Sequence, residues 1–270
     1  MRTRIISALV FIALTLFMIC FSIETRILFF VGCCVCSCHE MKNAMGKLDY
    51  NVQIWAVHLV CVCGALLIYL GLGSFVFPVY VIILLALFAF LILAKNFGVK
   101  DLIATYGVCF YPLAPLMLVI YISTAVTASG VEKWPVVFLS AILPSVISDT
   151  FALFGGRLFG KTKLAPHISP NKTVEGLVCG IVMGTLSGIG VYYILKAFSL
   201  GIIPLWAVTL AALLSSVTGA IGDLAASSIK REAGIKDYSN LIPGHGGMMD
   251  RIDSELFSIP FVYMLYALFF

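Results

Sequence analysis

Between Lys230 and Ser254 the chain reads KREAGIKDYSNLIPGHGGMMDRIDS, and these residue types suit phosphate chemistry. Gly244, Gly246 and Gly247 around His245 allow a tight turn and let a backbone approach an anion closely. Asp250, Arg251 and Asp253 then set two carboxylates beside a guanidinium. A hydrated loop with a Pro-Gly turn accounts for Pro243 and Gly244 but leaves that acid–base alternation unexplained. Just upstream, Asp223, Ser227 and Lys230 recur at helical spacing and share one face, with Arg231 beside them.

Two carboxylates fall inside apolar runs, Asp149 eight residues before Arg157 and Asp223 seven before Lys230. At about 1.5 Å per helical residue, each lies roughly 10 Å inward of the first base of the loop that follows. An unpaired charge in hydrocarbon costs at least a few kcal/mol, so the two carboxylates either form a cation site or each pair with a Lys or Arg for helix packing. Both readings stand at this level.

Gly155 to Thr162, GGRLFGKT, fits the phosphate-loop pattern G-x-x-x-x-G-K-[ST] letter for letter. That loop works when a buried strand delivers it and a helix leaves it. Here it follows Trp134–Phe154, an apolar run long enough to cross a bilayer as a helix, so the letters match while the scaffold does not. Arg157, Lys161 and Lys163 remain as basic groups for a polyphosphate or lipid headgroup. SPNKT, Ser169–Thr173, turns the chain into the next apolar run, and Lys172 stands beside a helix start whose N–H groups favour phosphate. Glu175 is read as a cap of that first turn.

The elements that must position these residues are membrane helices. With 61% hydrophobic and 11% charged residues and a mean hydropathy of +1.09, the 270-residue chain has too little polar surface to cover a soluble globule. Nine spans are expected: Ile5–Phe21, Ile27–Met41, Ile54–Leu72, Phe75–Ala94, Tyr106–Ala125, Trp134–Phe154, Val174–Leu195, Ile202–Ile229 and Leu256–Phe270. MRTR before the first apolar run resembles the opening of a signal peptide, but no small-residue cleavage site follows, so the run is kept as a helix.

With the N-terminus inside, Arg2, Arg4, Lys42, Lys47, Lys95, Lys100, Arg157, Lys161, Lys163, Lys172, Lys230, Arg231, Lys236 and Arg251 fall on the cytoplasmic side. Arg26, Lys133 and Lys196 fall outside, and the formal net charge of +4 is concentrated on one face. Lys42, Lys47, Lys95 and Lys100 need no more than this topology signal and anionic headgroups. The eighth run, about 42 Å long as a helix, exceeds the roughly 30 Å hydrocarbon core, so its polar end projects into the interface. Residues 1–130 are read as scaffold and oligomer contacts, and 131–270 as the part that forms the catalytic site.

Nine cysteines include CCVCSCH, Cys33 to His39. They sit inside an apolar run, their count is odd and no second pair with zinc-finger spacing follows, so they are read as small buried hydrophobes.

Ser227-Ser228-Ile229-Lys230-Arg231, Lys236-Asp237, Pro243-Gly244-His245-Gly246-Gly247 and Asp250-Arg251-Ile252-Asp253 together resemble the signature of the phosphatidate cytidylyltransferases, the CDP-diacylglycerol synthases. The resemblance extends upstream over SDTFALFGGRLFGKTKLAPHISPNKTVEG, Ser148 to Gly176, and is least diagnostic over the first hundred or so residues. It implies an all-α, polytopic membrane enzyme that joins CTP and phosphatidate to give CDP-diacylglycerol and pyrophosphate. It also implies a divalent cation, Mg²⁺, on Asp223 and Asp250 with Asp253 and Asp149 as neighbours, and a second, monovalent cation such as K⁺. A homodimer in a bacterial inner membrane, with the site on the cytoplasmic side, is the corresponding expectation. Nucleic acid is not an expected partner.

The reaction makes sense of these residues, because a phosphatidate oxygen must approach the α-phosphorus of CTP and both reactants are anions. Lys230, Arg231 and Arg251 are expected nearest the metal, with Arg157, Lys161, Lys163 and Lys172 arriving from the other loop. Ser227, Lys236, His245, Gly246 and Gly247 are expected to bind substrate, His245 as a phosphate or loop residue rather than a proton carrier. Two rivals share the hydropathy: a CTP-dependent kinase or transferase of an isoprenoid lipid, and an ion-coupled transporter. The kinase accepts an alcohol rather than a phosphate. The transporter is disfavoured because no internal repeat is found and the ionisable groups gather at the inner end.

Overall fold

The computed structural model describes residues 13, 15, 17, 18, 20–93, 98–126, 132–200 and 203–268. Arg2, Arg4, Lys95, most of the expected span Ile5–Phe21, and Ala94, Ile202 and Phe270 at the ends of other expected spans lie outside the described residues. The fold is mostly helical, and five stretches are long and apolar enough to cross a membrane: Gly73–Phe90, Val99–Thr124, Trp134–Phe159, Val174–Ala197 and Leu205–Glu232. The chain divides into two compact units, Met1–Thr124 with Glu232–Arg251, and Ala125–Arg231 with Ile252–Phe270.

The first unit contains α1 (Ile23–Gly46), α2 (Ile54–Tyr69), α3 (Val76–Leu93), α4 (Val99–Val108) and α5 (Ala114–Thr124). Ser22 starts α1 with a capping box, its Oγ accepting from Thr25 N at 3.3 Å while Thr25 Oγ1 accepts from Ser22 N at 3.1 Å. α1 packs against α2 and α5, and α2 against α3. Phe77, Ile82, Leu85 and Phe88 of α3 are exposed, as a lipid-facing helix requires. α4 and α5 are not one straight helix. The chain kinks through Cys109–Leu113, where Pro112 removes a backbone donor. The described cysteines are free thiols, and Cys33, Cys34, Cys38, Cys61 and Cys109 are buried as small core residues.

The second unit contains α6 (Trp134–Phe159), a hairpin of β1 (Lys163–Ala165) and β2 (Ser169–Thr173), then α7 (Val174–Ala197), α8 (Leu205–Glu232) and α10 (Glu255–Tyr266), with the four-residue α9 (Met249–Ile252) shared between the units. The hairpin departs from the all-α expectation, its antiparallel register pairing Lys163 with Thr173 and Ala165 with Ser169. α6 runs five residues beyond the expected end at Phe154, so Gly155 to Phe159 of GGRLFGKT are helical and Arg157 lies in the last turn.

Small residues set the spacing of these helices. Gly176, Gly180, Gly184 and Gly188 form a buried stripe on α7 at every fourth residue. A Cβ on Gly180 would meet Ser148 O at 2.6 Å and Ala152 Cβ at 2.9 Å on α6, and one on Gly188 would meet Ala212 Cβ at 2.8 Å on α8. Ser215 Oγ of α8 donates to Ala141 O of α6, and Tyr266 Oη of α10 hydrogen-bonds Ser140 Oγ at 2.8 Å. Because the obstacle at Gly180 is backbone, Gly180→Val is expected to lower stability by about 1–3 kcal/mol or more. Gly190 meets nothing within 4 Å, so Gly190→Ala should hold or raise it. Thermal unfolding of the two variants in detergent checks the contrast.

Candidate functional site

The helix spacing leaves a cavity of about 550 Å³ in the second unit, lined among others by Asp149 and Arg157 of α6, Asn171 and Lys172 of β2, and Asp223 of α8. Asp149 and Asp223 therefore face one space. Lys172 Nζ forms an ion pair with Asp223 Oδ2, and Ser227 Oγ, one turn along α8, donates to Asp223 Oδ1 at 3.2 Å. Both oxygens of Asp223 are thus engaged by donors, one of them a cation. Of the two readings of these carboxylates, the pairing with a lysine from another element is present at Asp223, and Asp149 lines the same cavity.

Among the other basic residues of this unit, Arg157 lies in the last turn of α6, Lys230 and Arg231 lie in the last turn of α8, and Lys161 and Lys163 follow α6. Arg231 Nε donates to Ile168 O at 3.2 Å and so ties the end of α8 to the hairpin turn. Lys230 is buried, at 8% exposure, while Arg157, Lys161 and Lys163 are exposed. The N–H of Lys161 and that of Thr162 donate to the Glu175 carboxylate at 3.0 and 3.1 Å. Glu175 thus holds the Gly-Lys-Thr turn, the place where a Walker loop would hold phosphate, and it reaches back further than a first-turn cap. Thr173 caps α7 itself, accepting from Gly176 N at 3.2 Å. Asp253 Oδ1 accepts from Ser254 N at 2.8 Å, and the Asp253 carbonyl lies so close to Gly222, beside Asp223, that a Cβ there would meet it at 2.5 Å.

Lys236, His245, Gly246, Gly247, Asp250 and Arg251 belong to the first unit. His245 N donates to Ile242 O at 2.9 Å, closing a turn with Pro243 in its second position and Gly244, φ 77°, in its third. That is the pattern of a type II turn. Ile242 N donates to Gly246 O at 2.9 Å, with Gly246 also left-handed at φ 82°. Asp250 Oδ2 accepts from Tyr238 N at 2.8 Å and Gly247 N at 3.0 Å, so this carboxylate fastens both ends of the glycine loop. Lys236 and Arg251 are exposed.

One functional candidate escapes the motif reading. Glu40 of α1 is buried and accepts from the N–H of Met248 and of Met249 at 2.9 and 2.7 Å. The cost of a carboxylate in an apolar run, which singles out Asp149 and Asp223, singles out Glu40 equally.

Hard carboxylate oxygens on one cavity, one of them already facing an ammonium, fit Mg²⁺. Among the described residues no group of three or more His, Cys, Asp or Glu converges to hold a metal ion. A pair suffices, since Mg²⁺ commonly takes one or two carboxylates and fills its remaining positions with water and substrate phosphate.

The chain is similar to proteins named phosphatidate cytidylyltransferase: 45% identical over 122 residues to one from Bacillus subtilis (strain 168) and 41% over 127 residues to one from Staphylococcus haemolyticus. One from Staphylococcus aureus (strain COL) is 39% identical over 127 residues. These alignments cover 45 to 47% of this chain and 44 to 47% of each relative, so the chain matches about half the length of these curated relatives. A model of the cytidylyltransferase family matches residues 2–269, and the chain belongs to that family.

Proposed function

We propose that the protein is a phosphatidate cytidylyltransferase, converting CTP and phosphatidate to CDP-diacylglycerol and pyrophosphate. The observation that carries the reading is the cavity shared by Asp149, Asp223 and Lys172, which sets carboxylates for a dication beside a cation for a phosphate. A lipid-facing helical protein with such a cavity suits a reaction in which one substrate and one product carry two acyl chains.

In the reaction a phosphatidate oxygen attacks the α-phosphorus of CTP. The new P–O bond forms as the bond to the β-phosphate bridging oxygen breaks, and pyrophosphate leaves with that electron pair. The lipid phosphate is already a nucleophile, so no covalent enzyme intermediate is required. Asp223 and Asp250, with Asp149 and Asp253 as neighbours, are the residues that the family resemblance implies would hold Mg²⁺, which would supply charge neutralisation for the triphosphate and the departing pyrophosphate. A monovalent cation such as K⁺ belongs to the same resemblance.

With a cation on Asp223, Lys172, now paired with that carboxylate, would be available to a phosphate oxygen. Arg157, Lys161, Lys163, Lys230, Arg231 and Arg251 bind the remaining anionic charge. Ser227 orients Asp223, while Lys236, His245, Gly246 and Gly247 serve the substrate from the glycine loop. The topology we adopt has nine spans with the N-terminus and the site on the cytoplasmic face of a bacterial inner membrane, in a homodimer.

Purified protein given radiolabelled CTP, phosphatidate and Mg²⁺ should release pyrophosphate and transfer the label into a lipid carrying cytidylate. Formation of CDP with a phosphorylated lipid alcohol instead would identify the isoprenoid-kinase alternative, and an absence of any turnover would defeat the enzymatic reading.

A further inference from the structure

Glu40 lies near the C-terminal end of α1, 5% exposed, and accepts three hydrogen bonds from one distant segment. Oε1 accepts from Met248 N at 2.9 Å and from Ser239 Oγ at 2.6 Å, and Oε2 accepts from Met249 N at 2.7 Å. Gly247 packs on the same carboxylate so closely that a Cβ at that position would collide with it. Asp250, three residues after Gly247, takes Gly247 N and Tyr238 N on one oxygen. Three consecutive backbone N–H groups, those of Gly247, Met248 and Met249, therefore all point at carboxylates, a concave arrangement of donors suited to holding an anion.

A buried carboxylate is costly unless several donors meet it, and this one gathers three where a neutral residue could satisfy fewer. Its charge is matched to a particular conformation of the loop. Opening the loop would strip these donors from Glu40, so the carboxylate biases the segment towards the form in which Met249 carries Asp250 at a fixed place.

We propose that Glu40 is a positioning residue for the glycine loop: by clamping Ser239, Met248 and Met249 it fixes the backbone that presents Asp250. The inference rests on the cytidylyltransferase reading above, and it adds to that reading a control point on a helix outside the signature. Glu40→Gln keeps the size of the side chain but sets an amide NH₂ against a backbone N–H, so one arm of the clamp becomes repulsive.

The test uses the full chain in detergent micelles containing phosphatidate. In Glu40→Gln, kcat for label transfer should fall at least about 30-fold and half-saturating Mg²⁺ should rise several-fold. KM for phosphatidate should stay near wild type, while the unfolding temperature falls by only a few degrees, as one buried donor left unmatched at about 1–3 kcal/mol requires. Hydrogen exchange measured without substrates should quicken in peptides covering residues 239–249 and not in those covering α2 or α7. Loss of kcat in proportion to loss of folded protein, with unchanged Mg²⁺ dependence, would reduce Glu40 to a packing residue and overturn the proposal. Should Glu40→Gln fail to fold, Ser239→Ala removes one donor from the half-buried edge of the clamp. It should then quicken the same exchange and lower kcat about 3-fold, and wild-type behaviour in both readouts overturns the proposal. Wild-type protein without cytidylyl transfer defeats the function itself, whereas active wild type with an equally active Glu40→Gln defeats the clamp alone.

Discussion

Asp223→Asn is expected to lower cytidylyl transfer at least about 10³-fold, the equivalent of some 4 kcal/mol of transition-state stabilisation. The amide preserves the shape of the side chain and can still accept from Ser227 Oγ, which now bonds Asp223 Oδ1. What it loses is the negative charge that Lys172 currently neutralises and that, in the proposed function, would hold a dication. The fold should tolerate the change, because the Lys172–Asp223 pair is partly solvent-exposed, with side chains 31% and 27% accessible. Pairs of that kind contribute about 0–1 kcal/mol. Activity and stability should therefore separate: pyrophosphate release disappears while the unfolding temperature moves by at most a few degrees. Label transfer and thermal unfolding measured on one preparation decide the matter, and near-normal turnover would remove Asp223 from the metal.

What could be read from the chain beforehand followed from local spacing. Asp223 and Ser227 lie four apart on one helix, and their hydrogen bond is the contact that spacing predicts. Pro243-Gly244 announces its turn because Pro fixes one backbone angle and Gly tolerates the left-handed position that follows. The long-range contacts within each unit carry no local signal. Lys172 reaches Asp223 across 51 residues, and Glu40 reaches Met248 across 208.

The glycine stripe of α7 has a weak sequence signal for another reason. In a helix apolar all round, periodicity does not tell a packed face from a lipid-facing one, and small size at every fourth residue is the remaining clue. The extension of α6 through Gly155–Phe159 was obscured by Arg157, since a charge that ends a hydropathy window need not end a helix. The hairpin at 163–173 was hidden inside a segment read as loop, where β1 contributes three residues.

Asp250 should separate charge from anchoring, and two substitutions are needed to show it. Its Oδ2 accepts from Tyr238 N and Gly247 N, both on buried residues, and so closes the loop that contains the left-handed Gly244 and Gly246. Asp250→Asn can keep both bonds on its amide oxygen while removing the charge. Asp250→Ala removes the acceptor as well, leaving two donors to find water or remain unsatisfied at about 1–3 kcal/mol each. If Asp250 is a metal ligand, both variants lose transfer by about 10³-fold or more, yet only the alanine variant unfolds several degrees lower and is cut faster by protease within residues 238–249. If the carboxylate serves the loop alone, Asp250→Asn retains most of its activity and Asp250→Ala does not. Parallel measurement of turnover, unfolding temperature and loop proteolysis distinguishes the two, because the asparagine variant alone keeps the geometry while giving up the charge.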